Sequence, residues 1–360
     1  MVSQTRKRGR GGALLGEGAH GKAYNVGLTP RNTDALYKLL DKHAYNVVTL
    51  ETLTEPVTLD TPKDIDAFTA FLKHTKNLIG KVVKAPQFWQ KKAQDVEFRD
   101  ELDVNRQVLK AFGPTKSDTF LTIQPIRGFR DLPILGFTAI KQGKGKGKGT
   151  KKTKKAREAL YVIFGHKCDP KYDVKLDDFL LDITESLVEL EAHKLRHNDI
   201  KPTNIVRCDD RYKLIDWGAT TPADKKSRSG GVPMSSPMRY YIGGLSPYMS
   251  RFYPYIGVEY EYNDWFNTNT YQDLFHRIEQ EFKDALETTK DRDILFKTYG
   301  PSSDLYQLGI TVALLIHQHK ITDPKYTTIV NKLTSLKDPP KSAKEFQTML
   351  KRTLKRTLKN

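Results

Sequence analysis

Apolar positions recur along this chain with two different periods, and the change from one to the other divides it. From Leu14 to Leu40 the pattern reads as strand, glycine turn and strand, then a further strand at "ALYKLL". Between Asp64 and Lys84, Ile65, Phe68, Phe71, Leu72 and Leu78 form a patchy apolar face that predicts a helix. A second helix is predicted over "DVEFRDELDVNRQVLKAF", stopped by Gly113 and Pro114. "TFLTIQPI", "LPILGF" and "ALYVIF" then read as strands. Beyond them the longer period takes over. "DDFLLDITESLVELEAHKL" places Phe179, Leu180, Ile183, Leu187 and Leu190 on one face, and "YQDLFHRIEQEFKDAL" is amphipathic through Tyr271, Leu274, Phe275, Ile278 and Phe282. "SSDLYQLGITVALLI" is apolar nearly all round, as a central helix would be, and Phe346, Met349, Leu350, Leu354 and Leu358 predict a packed terminal helix. A strand-rich half followed by a helical half predicts an α+β protein of two lobes with a ligand-binding cleft between them.

Polar stretches interrupt this pattern. A basic leader runs to Gly12, and Lys141 to Arg157, "KQGKGKGKGTKKTKKAR", has no apolar period and reads as a solvated loop. Pro222 to Tyr262 is too polar and too broken by Gly and Pro for regular structure. The 360 residues carry a formal net charge of +17, which favours polyanionic partners. The basic tract and the tail "KRTLKRTLKN" are the segments suited to nucleic acid or an acidic protein. No aromatic residue interleaves the tract's lysines, so its grip would be on phosphates rather than bases. Two cysteines, Cys168 and Cys208, suggest neither a disulfide framework nor a zinc cluster, and point to a reduced intracellular setting. The apolar run "ITVALLI" is too short to cross a bilayer, and no membrane role is expected.

Three stretches carry candidate chemistry. "LLGEGAHGKAY" holds Gly16, Gly18 and Gly21 with strand on both sides, a pattern suited to a glycine flap over phosphates. Lys38 lies in the apolar "ALYKLL", where an ammonium needs an anionic partner. "HNDIKPTNIVRCDDRYKLIDWG" carries Asp199, Lys201, Asn204 and Asp216. Phosphoryl transfer needs a carboxylate to orient the attacking hydroxyl, which suits Asp199, and oxygen ligands for a divalent ion, which suits Asn204 and Asp216. Lys201 can neutralise charge on the transferred group.

In that order, the motifs resemble those of a eukaryotic-type Ser/Thr protein kinase. "GEGAHG" is similar to the glycine-rich loop, "ALYK" to the strand of the phosphate-binding lysine, "HNDIKPTN" to the catalytic loop, "DWG" to the metal-binding D-F-G, and "SSDLYQLG" to the start of the central helix. "DELDVNRQVLKAF" resembles the helix of the vaccinia-related and casein-kinase-1-like group. Large DNA viruses carry divergent kinases of this kind, which leaves a viral origin open.

The resemblance implies a bilobal kinase fold that binds ATP with Mg2+, or Mn2+ in its place, and phosphorylates protein substrates. It implies a leader at 1–12, an N-lobe over 13–165 with insertions at about 42–90 and 141–157, and a C-lobe over 166–360 with an insertion at about 239–298. It nominates Glu101 as partner of Lys38, with Glu97 and Glu51 as rivals, and gives Asp304 the task of bracing the catalytic loop. It makes Phe164 the residue guarding the adenine pocket, with the hinge at Gly165 to Cys168. A cytoplasmic, nuclear or virion-associated enzyme is expected.

Asn198 stands where the family has an arginine that reads a loop phosphate, which implies activity without loop phosphorylation, and no A-P-E follows "DWG". Small-molecule kinases of the choline and aminoglycoside type share H-x-D, Asn and I-D-W, but tend to have histidine where this chain has Lys201. A kinase-shaped scaffold is the third alternative.

Overall fold

A computed structural model of the chain describes residues 14–18, 21–27, 36–43, 45–83, 91–141, 158–168, 173–224, 274, 277, 280, 281, 284, 303–335 and 337–357. The chain divides into two units, Met1–Cys168 and Asp169–Asn360. The first is built on a sheet and the second mainly on helices, so the architecture is α+β.

Seven antiparallel strands form the sheet of the first unit. They are β1 (Leu14–Gly18), β2 (Gly21–Asn25), β3 (Val47–Thr52), β4 (Val57–Leu59), β5 (Leu78–Val83), β6 (Ile134–Lys141) and β7 (Glu158–His166), in the spatial order β1-β2-β5-β7-β6-β3-β4. Its helices are α1 (Leu36–His43), α2 (Pro62–His74) and α3 (Lys91–Phe120).

Strand side chains alternate between faces, and β7 shows what each face meets. Leu160, Val162 and Phe164 join Leu36 and Leu40 of α1 and Phe68 and Leu72 of α2 in one apolar cluster. Tyr161, on the other face, packs against Phe98 of α3 with ring centroids 5.1 Å apart. Helices α1 and α2 therefore cover one face and α3 the other. The approach of α1 is close: a Cβ at Gly80 would come within 2.5 Å of Leu36 Cδ2.

Several elements differ from the sequence expectation. "ALYKLL" is not a strand; α1 spans it, with Leu36, Tyr37 and Leu40 buried and Lys38 exposed. A short apolar run fits either period, and here the buried spacing is helical. The helix expected over Asp64 to Lys84 ends at His74. Asn77 then takes a left-handed φ of 58°, and β5 follows inside the segment expected to be an insertion. At Gly113 the backbone leaves helical values (φ 67°, ψ 174°), as the expected stop requires, but Pro114 begins a further helical stretch to Phe120. "TFLTIQPI" is therefore part helix and part irregular, with bridge positions at Leu121 and Ile126, the latter opposite Ile134.

The second unit contains α4 (Leu176–Ala192), α5 (Ser303–Gln318), α6 (Pro324–Thr334) and α7 (Ala343–Thr357). Two small pairings accompany them: β8 (Leu195–Arg196) with β11 (Thr221–Pro222), and β9 (Ile205–Cys208) with β10 (Arg211–Leu214). Helix α5 is buried along most of its length, matching its apolar sequence. Helix α7 buries Phe346, Leu350 and Leu354, and the Ala343 amide donates to Glu191 of α4 at 2.9 Å. Leu274, Arg277, Gln280, Glu281 and Asp284 are helical. The leader, residues 142–157 of the basic tract and residues 225–273 lie outside the described residues.

No helix among the described residues is long and apolar enough to cross a membrane.

Candidate active site

The polar loop between β8 and β9 is organised from below by α5. Asp304 accepts two backbone hydrogen bonds, from the amides of His197 at 2.7 Å and Asn198 at 2.9 Å. Gln307, one turn along, accepts from the Ile200 amide at 2.7 Å, and Thr311 donates to the Ile200 carbonyl at 3.1 Å. All three α5 side chains are buried, so the loop's turning backbone finds partners where water does not reach. Asp304 thus has the bracing place expected of it. Gln307 and Thr311 were not legible as site residues, because a polar residue in a central helix carries no sign of what it will face.

His197 is the second organiser. It is buried, and its ring lies edge-on to Trp217 at 4.8 Å. The Asp199 amide donates to Nδ1 at 3.3 Å, which assigns the proton to Nε2, 3.1 Å from the Ile215 carbonyl. Burial pushes the imidazole below its ordinary range, and the carboxylates of Asp304, Asp199 and Asp216 oppose that only in part. A neutral histidine therefore ties the start of the loop to the strand end that leads to Asp216.

This scaffold brings Asp199, Lys201 and Asn204 together. The Asn204 Nδ2 donates to Asp199 Oδ2 at 2.8 Å and to the Asp199 carbonyl at 2.9 Å, and Lys201 Nζ lies 3.2 Å from Asp199 Oδ2. The other carboxylate oxygen, Oδ1, is buried and has no hydrogen-bond partner among the described residues. One face of the carboxylate is thus fixed while one oxygen stays available as an acceptor. Because the Asn204 amino group is committed to Asp199, its Oδ1 is the atom left to accept or to ligate.

Asp216 follows β10 in a left-handed conformation, φ 62° and ψ 68°, which is rare for a residue with a side chain. Such strain persists where the surroundings enforce it, and tends to gather at functional positions. Here the Ile215 amide bonds to the Asn204 carbonyl at 2.9 Å, and buried Trp217 plugs the turn that follows. Asn204 and Asp216 are a pair of hard oxygen donors, the set that suits Mg2+. Asn198, also left-handed at φ 65°, turns its amide to the Ala219 carbonyl (2.9 Å) and Thr221 Oγ1 (3.0 Å). The position expected to lack its phosphate-reading arginine thus holds the following segment directly.

In the first unit, Gly16, Gly18 and Gly21 lie in the β1–β2 hairpin, with Gly18 opposite Gly21 and residues 19 and 20 outside the described set. Glu101 carries an ion pair, but not with Lys38. Its Oε1 and Oε2 lie 2.8 and 3.1 Å from Nζ of Lys81 on β5. Lys38 is a correction: it sits exposed on α1, on the sheet face away from α3. Glu51, one rival, pairs instead with Arg106, and the side chain of Glu97 is outside the described set.

Phe164 is the second correction. Lys81 is directly opposite Ile163, so those two share a face and Phe164, opposite Gly80, points the other way into the α1–α2 cluster. The β7 residue beside Ile163 on the Lys81 face is Gly165, opposite Ile79. Lys81 was signalled by "LIGKVV", a β-branched run behind an asparagine, but the helical spacing of the preceding residues masked it.

No family model matches the chain, and no curated protein matches it in sequence. Among solved structures, one similar chain is that of the bifunctional kinase-methyltransferase WbdD. It is 15% identical over 41% of this chain and 29% of its own length, with a TM-score of 0.25, too low to carry any argument. The assignment rests on the residues themselves.

Proposed function

We propose that this chain is an ATP- and Mg-dependent protein kinase that transfers the γ-phosphate to Ser or Thr of protein substrates. The observation that carries the reading is the Asp199 carboxylate, held through Oδ2 by Asn204 and Lys201 and left with a buried acceptor oxygen. A carboxylate so placed is suited to orient a hydroxyl and take its proton as the phosphoryl group moves. Lys201 neutralises charge on that group. The glycine hairpin at Gly16, Gly18 and Gly21 lets backbone amides approach phosphates, and Lys81, steadied by Glu101, takes the inner phosphates in the place first given to Lys38.

Asn204 and Asp216 would hold Mg2+, or Mn2+. Bound there, it would supply positive charge against the phosphates of the nucleotide. Protein rather than small-molecule acceptors are favoured by Lys201 and by the Asp304-braced loop on α5. The basic tract 141–157 and the tail are proposed to dock nucleic acid or an acidic protein through phosphate-type contacts.

The test offers radiolabelled ATP with casein, a basic protein and small alcohols in parallel. Label on serine or threonine of protein is the expected result. Label on the alcohols alone would transfer the chemistry to a small-molecule kinase, and no label on any acceptor would remove the proposal.

A further inference from the structure

Two ion pairs fasten α3 to the sheet, and their sheet residues stand on one line. Residues directly opposite on neighbouring strands present their side chains to the same face. Lys81 of β5 is opposite Ile163 of β7, Ile163 is opposite Gly136 of β6, and Gly136 is opposite Glu51 of β3. Lys81 and Glu51 therefore end a four-strand row, roughly 14 Å long at the usual strand spacing. Helix α3 covers that face and grips both ends. Glu101 takes Lys81 with both oxygens, while Arg106 reaches Glu51 Oε2 at 3.3 Å and the Thr52 carbonyl at 3.0 Å. From Glu101 to Arg106 a helix advances about 7.5 Å, and the long Lys81 and Arg106 side chains span the remainder.

The chemistry of the distal end marks it as more than a surface contact. Glu51 is 3% exposed, and a carboxylate so buried needs a cation. Arg106 supplies a guanidinium anchored a second time to the Thr52 backbone, so the helix cannot slide or roll without uncovering that charge. Strands β3 and β4 extend the sheet past β6 and bring Glu51 beneath α3.

We propose that Glu51 and Arg106 form a positioning clamp. By fixing the rotation and height of α3, they keep the Glu101 carboxylate on Lys81 with no partner protein or modification required. The consequence for catalysis rests on the phosphotransfer reading; the clamp itself does not. Arg106 and Glu51 act through α3 and touch no reacting atom.

Competitive acetylation of Lys81, followed by mass spectrometry of the folded protein, reads the clamp without reference to turnover. Glu101→Gln is expected to raise Lys81 reactivity severalfold, and Arg106→Ala to raise it to a similar level. Adding Arg106→Ala to Glu101→Gln is expected to change nothing further, and the exchange Glu51→Arg with Arg106→Glu to return the rate toward that of the parent. If Arg106→Ala does not fold, Arg106→Lys keeps the charge but loses the Nε bond to Thr52, and an intermediate rate is expected. Lys81 reactivity equal to the parent's in whichever Arg106 variant folds would overturn the clamp, as would a further rise in the double variant. Loss of ATP turnover in the parent itself would sink the proposed function and leave this measurement still decisive.

Discussion

Glu101 holds Lys81 with both carboxylate oxygens, at 2.8 and 3.1 Å, from a helix lying across the face of the sheet. Preorganised cations of this kind contribute most where negative charge builds during reaction. Replacing Lys81 with Ala is therefore expected to lower phosphotransfer by about 10²–10³-fold, the usual cost of one lost electrostatic partner. Lys38→Ala, on the exposed side of α1, is expected to leave it unchanged. Steady-state rates of the two variants side by side check the assignment.

Asp304 is a stability residue as much as a site residue. Removing its side chain leaves the buried amides of His197 and Asn198 without acceptors, at roughly 1–3 kcal/mol each. Asp304→Ala should therefore lower denaturant resistance by about 2–6 kcal/mol and lose activity with it. Chemical denaturation followed by circular dichroism measures the first effect.

Two neighbours on β7 should behave oppositely. Phe164 is 1% exposed within the α1–α2 cluster, so Phe164→Ala is expected to cost about 3–5 kcal/mol of stability without altering nucleotide preference. At Gly165 an added Cβ meets nothing closer than 3.6 Å, so the fold tolerates a side chain there. Gly165→Leu is expected to leave the melting temperature unchanged while weakening ATP binding, because the new side chain projects over the Lys81 face. Nucleotide titrations of both variants distinguish the two faces.

His197 gives the protein a definite response to acid. Burial lowers its folded pKa, while the unfolded chain titrates near the usual value of about 6.5. Below that pH the unfolded state binds the additional proton, so stability falls as pH drops, and above it the contribution is fully present. Asp182 and Glu191 are raised by burial and act in the opposite sense, gaining stability as pH falls through the carboxylate range. Melting temperatures between pH 7.5 and 5.5 should therefore decline, and His197→Gln should flatten that slope.

Much of the second unit was legible because its signals are local. Asp199, Lys201 and Asn204 lie in one short loop, and α4 and α5 announce themselves by apolar period. The first unit resisted for a physical reason. "ALYKLL" and "LIGKVV" are both brief apolar runs around a lysine, and such runs do not distinguish helix from strand; only the pairing of β5 with β2 and β7 decides which lysine reaches Glu101. Phe164 failed on parity, since being one residue off along a strand reverses the face. The partners of Asn198 and Glu51 were invisible because Thr221 and Arg106 are distant in sequence.

The most direct test of the account is Asp199→Asn, which removes the proposed base and keeps the shape of the side chain. Transfer of the γ-phosphate to protein is predicted to fall about 10³-fold, within the usual range for a general base, while binding of a fluorescent ATP analogue is retained. Turnover at the parent rate in a folded Asp199→Asn protein would contradict it.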